Sequence, residues 1–274
     1  MAAGFLSIHK SKGQGDGERE RGVKKALGTV RSQNKVTKAY YMRTLIYAPV
    51  IHTSADLGSL AKEVARRGVA DLGEDLWQAH RKTVDGFWDM ISHYFDSINM
   101  SGVKIYQDGM VAEGEIGEKI AAEGMKTGSK NYELLLKLLK RGAILVKTED
   151  FKLVKEELDR LSEITRAKSI AQKLFSFIKY KLIKNKLLDK RDKFIVKRID
   201  ETLNQDEVGI IFIGAYHNIK KRLPKDINVI EIKNTARIRE YQTLLPFYRT
   251  HKERFEELAK YLVSGVDQPF YQMK

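Results

Sequence analysis

His52 and His217 each follow an apolar run: Leu45-Ile46-Tyr47-Ala48-Pro49-Val50-Ile51 leads to the first, and Val208-Gly209-Ile210-Ile211-Phe212-Ile213-Gly214-Ala215-Tyr216 to the second. An imidazole can ligate a metal through a neutral nitrogen, or act as acid and base near neutral pH. Short apolar runs of this kind read as buried strands. The carboxyl edge of an open α/β sheet is where ligands bind, because the loops after the strands line the crevice there. Two histidines delivered this way, 165 positions apart, define a candidate site. Other runs also stop at titratable groups. A strand over 103–106 ends at Gln107-Asp108-Gly109, and one over 143–146 ends at Thr148-Glu149-Asp150. A parallel sheet brings all of these to one rim. Such a set suits a divalent metal, with His52, His217, Asp108 and Glu149 as candidate ligands; without an ion, a neutral histidine can serve as general base. Carboxylates just past a strand also cap the next helix, which is the ordinary role for Asp150 and an alternative one for Asp56.

The elements that must position these residues alternate along the chain. Strands are expected over 43–51, 103–106, 143–146, 208–213 and 227–232. Between them, apolar residues recur at helical spacing: Leu57, Leu60, Ala61 and Ala65; Trp77, Val84, Phe87, Trp88, Ile91, Phe95 and Ile98; then 132–139, 151–186, 192–204 and 237–263. The glycines at 109, 114, 117, 124 and 128 read as a flexible loop. This alternation predicts an α/β fold: a mostly parallel, Rossmann-like sheet with helices on both faces, plus long helical segments. One domain over 42–274 is expected, with a helical insertion around 151–204, preceded by a flexible basic extension over 1–41 that is poor in periodic apolar residues.

Composition narrows the chemistry. The 274 residues contain no cysteine, which excludes disulfides, thiolate nucleophiles, cysteine zinc sites and iron–sulfur clusters. No run approaches the ~18–20 apolar residues of a membrane span, so no membrane partner and a cytoplasmic location are expected. There is no G-x-x-x-x-G-K-[ST] loop, no H-E-x-x-H, no G-x-S-x-G and no G-x-G-x-x-G. The net charge of +14 is concentrated in 1–41 and in 166–198, where twelve Lys/Arg face only Asp189 and Asp192. That basic segment could neutralise phosphates and dock nucleic acid, or simply be a solvated face.

Lys190-Arg191-Asp192-Lys193-Phe194-Ile195, followed through a helix by the strand ending Gly214-Ala215-Tyr216-His217, resembles the carboxyl-side signature of the TraB/TIKI/erythromycin-esterase-like superfamily. There an Arg-Asp pair opens a helix, and a strand ending in Gly-Ala-x-His follows. Val50-Ile51-His52-Thr53 resembles the family's first histidine-bearing strand, and Gly73-Glu74-Asp75-Leu76 with Arg81 is similar to its acidic element. The resemblance implies an α/β fold, hydrolase-like chemistry that is metal-assisted in some members, and His52, Glu74, Arg191, Asp192 and His217 as site residues. The leading expectation is an α/β hydrolase acting on a small or anionic substrate, with a divalent metal as its candidate cofactor. The alternatives are a non-catalytic binding module, which takes an anionic ligand at the rim and nucleic acid on the basic helix, and an oligomerising protein whose long helices form the interface.

Overall fold

Five parallel strands form the sheet: β1 (Arg43–Val50), β2 (Lys104–Gln107), β3 (Ile144–Val146), β4 (Val208–Gly214) and β5 (Ile227–Glu231), in the order β3-β2-β4-β1-β5. The computed structural model describes residues 42–53, 55–56, 61–166 and 170–270, without the side chains of 64, 165–166, 170–171 and 173–181. The basic extension expected over 1–41 lies outside the described residues. Near-continuous apolar strands are what a sheet buried on both faces requires. In β1, Ile46, Ala48 and Val50 enter one core, while Leu45 and Tyr47 enter the other. In β4 the alternation is Ile210 and Phe212 against Ile211 and Ile213.

The first face is covered by α2 (Glu74–Asp96), α4 (Lys130–Lys140), α7 (Thr235–Leu244) and α8 (Lys252–Val263). Phe212 packs there between Trp88 and Phe95, at ring-centroid distances of 6.4 and 5.6 Å; burying a side chain of this size contributes roughly 1.5–3 kcal/mol. The second face belongs to α6 (Ile170–Thr202), which presents Ile195 and Ile199, with Leu203 just beyond it. Crossover handedness explains the division. The chain moves from β1 through β2 to β3 in one direction and returns from β3 to β4 in the other, so right-handed crossovers place their helices on opposite faces. The return runs through α5 (Phe151–Arg166) and α6.

Two elements differ from the sequence expectation. The glycine-rich stretch contains a helix, α3 (Gly114–Lys126). Two of its glycines serve close packing: a Cβ on Gly117 would stand 2.7 Å from the Leu145 side chain, and one on Gly124 2.1 Å from the Tyr132 ring. The segments expected to break before 192 instead continue as one 33-residue helix, α6. No Gly or Pro occurs between 143 and 208 to interrupt it.

The position of β4 builds the rim. β4 enters between β2 and β1 after both are placed, pairing with each in parallel register. Its end is therefore flanked by the residues that follow β2 and β1, which are Asp108 and His52. Helix α6 supplies Arg191 and Asp192. Arg43, at the amino end of β1, donates to the Leu203 carbonyl. Arg191 lies twelve residues earlier, about 18 Å back along the helix at 1.5 Å per residue, and so reaches the carboxyl edge.

Candidate metal centre at the carboxyl rim of the sheet

Asp108 is the hub. Its Oδ2 lies 3.0 Å from His52 Nε2 and 3.4 Å from His217 Nε2, and accepts the Gly214 N–H at 3.0 Å. Its Oδ1 accepts from Arg191 Nη2 at 2.6 Å. Gly214 makes the convergence possible, because a Cβ there would sit 3.1 Å from both Asp108 Oδ2 and His52 Nε2. The next residue, Gly109, turns the chain with φ +78°, a conformation that favours glycine, and directs its N–H toward Glu149 Oε1 at 3.4 Å.

Each histidine also faces a second carboxylate through Nδ1. His217 Nδ1 lies 2.6 Å from Asp192 Oδ1, whose other oxygen accepts the Asn218 N–H at 2.9 Å. His52 Nδ1 lies 3.8 Å from Asp56 Oδ2. Asp56 is fixed by the Thr53 N–H at 2.6 Å and by the Ser129 hydroxyl. His217 is buried, whereas the His52 side chain is 34% exposed, so His52 is the histidine that meets solvent.

Arg191 joins the carboxylates on the far side. Its Nε donates to Glu149 Oε2 at 3.0 Å, Nη2 to Glu149 Oε1 as well as to Asp108, and Nη1 to Glu157 of α5. Five carboxylates, Asp56, Asp108, Glu149, Glu157 and Asp192, thus surround one guanidinium and two imidazoles. The electrostatics follow from this inventory. Burial opposes charge on His52, but Asp108 and Asp56 outweigh it and raise its pKa to about 10. Burial likewise opposes charge on His217, and Asp108 with Asp192 raises it to about 9. Burial would raise Asp108, yet His217 and Arg191 hold it well below the usual carboxylate range. For Glu149 burial prevails over the Arg191 contacts and moves it upward.

Ligand atoms of Asp108, Glu149 and His217 lie within 4.8 Å of one another, and this buried group could hold a metal ion. His52 is not in that set; it joins through Asp108 Oδ2. Asp192 and Arg191 meet the cluster from adjacent positions on α6, one reaching β4 and the other β2 and β3. Glu74 stands elsewhere. It is exposed in the first turn of α2, accepts a hydrogen bond from Gln78, and lines a separate cavity of about 510 Å³ beside Tyr248 and Phe255. Asp150 does cap α5, accepting the N–H groups of Lys152 and Leu153. Glu157 had no distinguishing signal in the sequence, since it is one of several acidic residues on an amphipathic helix. Lys173, Lys179 and Lys181 of the basic segment have side chains outside the described residues; Lys186 and Lys190 are exposed. Among the described residues no helix is long and apolar enough to cross a membrane.

No family model, no curated protein and no solved structure matches the chain. The fold itself defines a Rossmann-like α/β protein with a buried His/Asp/Glu cluster at the carboxyl edge of its sheet.

Proposed function

We propose that the rim is a hydrolytic centre assisted by a divalent metal, acting on a small substrate that enters on the His52 side. The observation that carries this reading is the orientation of the two histidines. Each turns Nδ1 to an outer carboxylate and Nε2 to Asp108 Oδ2. An outer carboxylate on one ring nitrogen is the usual support of a metal-bound histidine, fixing its tautomer and raising its basicity. The 3.4 Å between His217 Nε2 and Asp108 Oδ2 also suits two ligands of one small ion, which stand about 3.3 Å apart when tetrahedral bonds are ~2.0–2.1 Å long.

The charge inventory supports the same reading, because with both imidazoles neutral, as metal ligation requires, five carboxylates against one guanidinium leave four negative charges in surplus, half of which a divalent cation offsets. Asp108 and His217 would hold the ion, with His52 and Glu149 as the remaining donors; both Glu149 oxygens already accept from Arg191, so Arg191 sets how far Glu149 takes part. The ion would supply Lewis acidity to a polarised substrate oxygen. His52, facing solvent, orients water and substrate. Arg191 stabilises negative charge on the buried side.

Unpartnered polar atoms also gather at this edge. Thr53 Oγ1 and Gln107 Oε1, next in sequence to His52 and Asp108, are buried without hydrogen-bond partners, as expected where water or substrate completes the set. A hydrolase fits the residue resemblance at 50–53 and 190–217 and gives the buried ionic cluster a purpose, since such clusters seldom stabilise a fold on their own.

The test is turnover of a panel of chromogenic esters, amides and phosphate esters by the full chain, before and after chelation. Hydrolysis of at least one class should fall 100-fold or more in chelator and return with zinc or manganese. Turnover indifferent to chelation would remove the metal from this reading, and no turnover with any metal would remove the hydrolase.

A further inference from the structure

Beside the rim, a cavity of about 570 Å³ opens between Ala55-Asp56 and helix α3. Its walls are apolar: Ala55, Ile116, Ile120 and the Tyr132 ring. Tyr132 is pushed up to about 12 by burial, so its phenol is neutral. Gly124 keeps the wall in place, because any side chain there would collide with the Tyr132 ring. At the mouth, Lys119 and Glu123 carry opposite charges, which favours neither an anion nor a cation.

One buried charged group lines the cavity among the described residues, and it belongs to the site. Asp56 has a side chain only 5% exposed, and it faces His52 Nδ1. The apolar cavity and the metal centre therefore share a wall one side chain thick. A cavity of this size falls in the range of small-molecule sites, which are mostly apolar with a few placed polar groups.

We propose that this cavity seats an uncharged, apolar arm of the substrate, a medium-length acyl chain or ring, whose carbonyl carbon is presented to the rim beside His52. This rests on the hydrolytic reading above and names its substrate class: acyl compounds with an apolar acid portion. In the reaction, a water oxygen bonds to the carbonyl carbon and the bond from that carbon to the leaving oxygen breaks. One water proton goes to the leaving group, and the other remains with the released acid.

The experiment uses the metal-loaded full chain with 4-nitrophenyl esters from acetyl to decanoyl. Specificity, as kcat/KM, should rise about fourfold per added methylene over the first several carbons, as expected for transfer of that group from water. Ile120→Trp, which fills the cavity, should lower kcat/KM for the decanoyl ester tenfold or more and leave the acetyl ester within twofold. Ile116→Asp, at a largely exposed position of the wall, gives the same test if the tryptophan disturbs folding. Calorimetric binding of decanamide separates the two layers of the reading. Loss of all ester turnover, with decanamide still bound by the wild type and not by Ile120→Trp, would sink the hydrolase and keep the pocket. Specificity independent of chain length, or decanoyl turnover and decanamide binding unchanged in both variants, would overturn the pocket.

Discussion

Arg191→Met should cost the fold about 3–5 kcal/mol, the range found when one partner of a buried charge set is removed. Arg191 donates to Glu149 through two nitrogens, to Asp108 and to Glu157, and its side chain is 9% exposed. Methionine keeps much of the stem but leaves Asp108 and Glu149 buried with less positive charge between them. Arg191→Lys should recover little, because an ammonium cannot reproduce the planar fork that spans both carboxylates. Adding Glu149→Gln to Arg191→Met should return part of the loss, since one uncompensated charge goes with it. Denaturant unfolding of the three variants measures this. A loss under 1 kcal/mol for Arg191→Met would show that the guanidinium is not what holds the carboxylates together.

The second large effect is on turnover. His217→Ala and His52→Ala are each expected to lower kcat/KM by a factor of 10³ or more, and the double variant should be scarcely worse than either single one. Groups that act as one unit lose most of their effect when the first is removed. The His217→Ala variant should also fail to hold the metal, because His217 supplies one of the three mutually close ligands. His80→Ala is the control. His80 bonds Tyr241 at 2.9 Å on the helical face, and burial lowers its pKa to about 4. That variant should keep its turnover. Small, additive losses in the two rim variants would separate His52 and His217 into independent roles.

Much of this was readable in the chain. All five strands were: β1 and β4, buried on both faces, leave near-continuous apolar runs, and the groups that follow four of the five strands, His52, Asp108, Glu149 and His217, meet at the carboxyl edge. What periodicity does not encode is strand order. Nothing in 208–214 says that β4 enters between β2 and β1, yet that insertion brings Asp108 and His52 to the two sides of Gly214. Arg191 and Asp192 carried a signal only through their family resemblance; on α6 they are two charged residues among many. Glu157 shows the same limit, since its contact with Arg191 depends on how α5 lies against α6. The glycines of α3 misled for a physical reason. Glycine lowers helix propensity, but here Gly124 admits a ring that a larger residue would exclude, and packing outweighs the propensity.

Locating the ion is the most direct test. Crystals of the full chain grown with zinc or manganese, with diffraction recorded on both sides of the metal's absorption edge, should show one anomalous peak per chain. It should be bonded to His217 Nε2 and to Asp108, with Asp192 still on His217 Nδ1 and Arg191 still on Glu149. A well-ordered rim with both imidazoles closed on Asp108 and no anomalous density, at metal concentrations that support turnover, would contradict a metal centre at this edge.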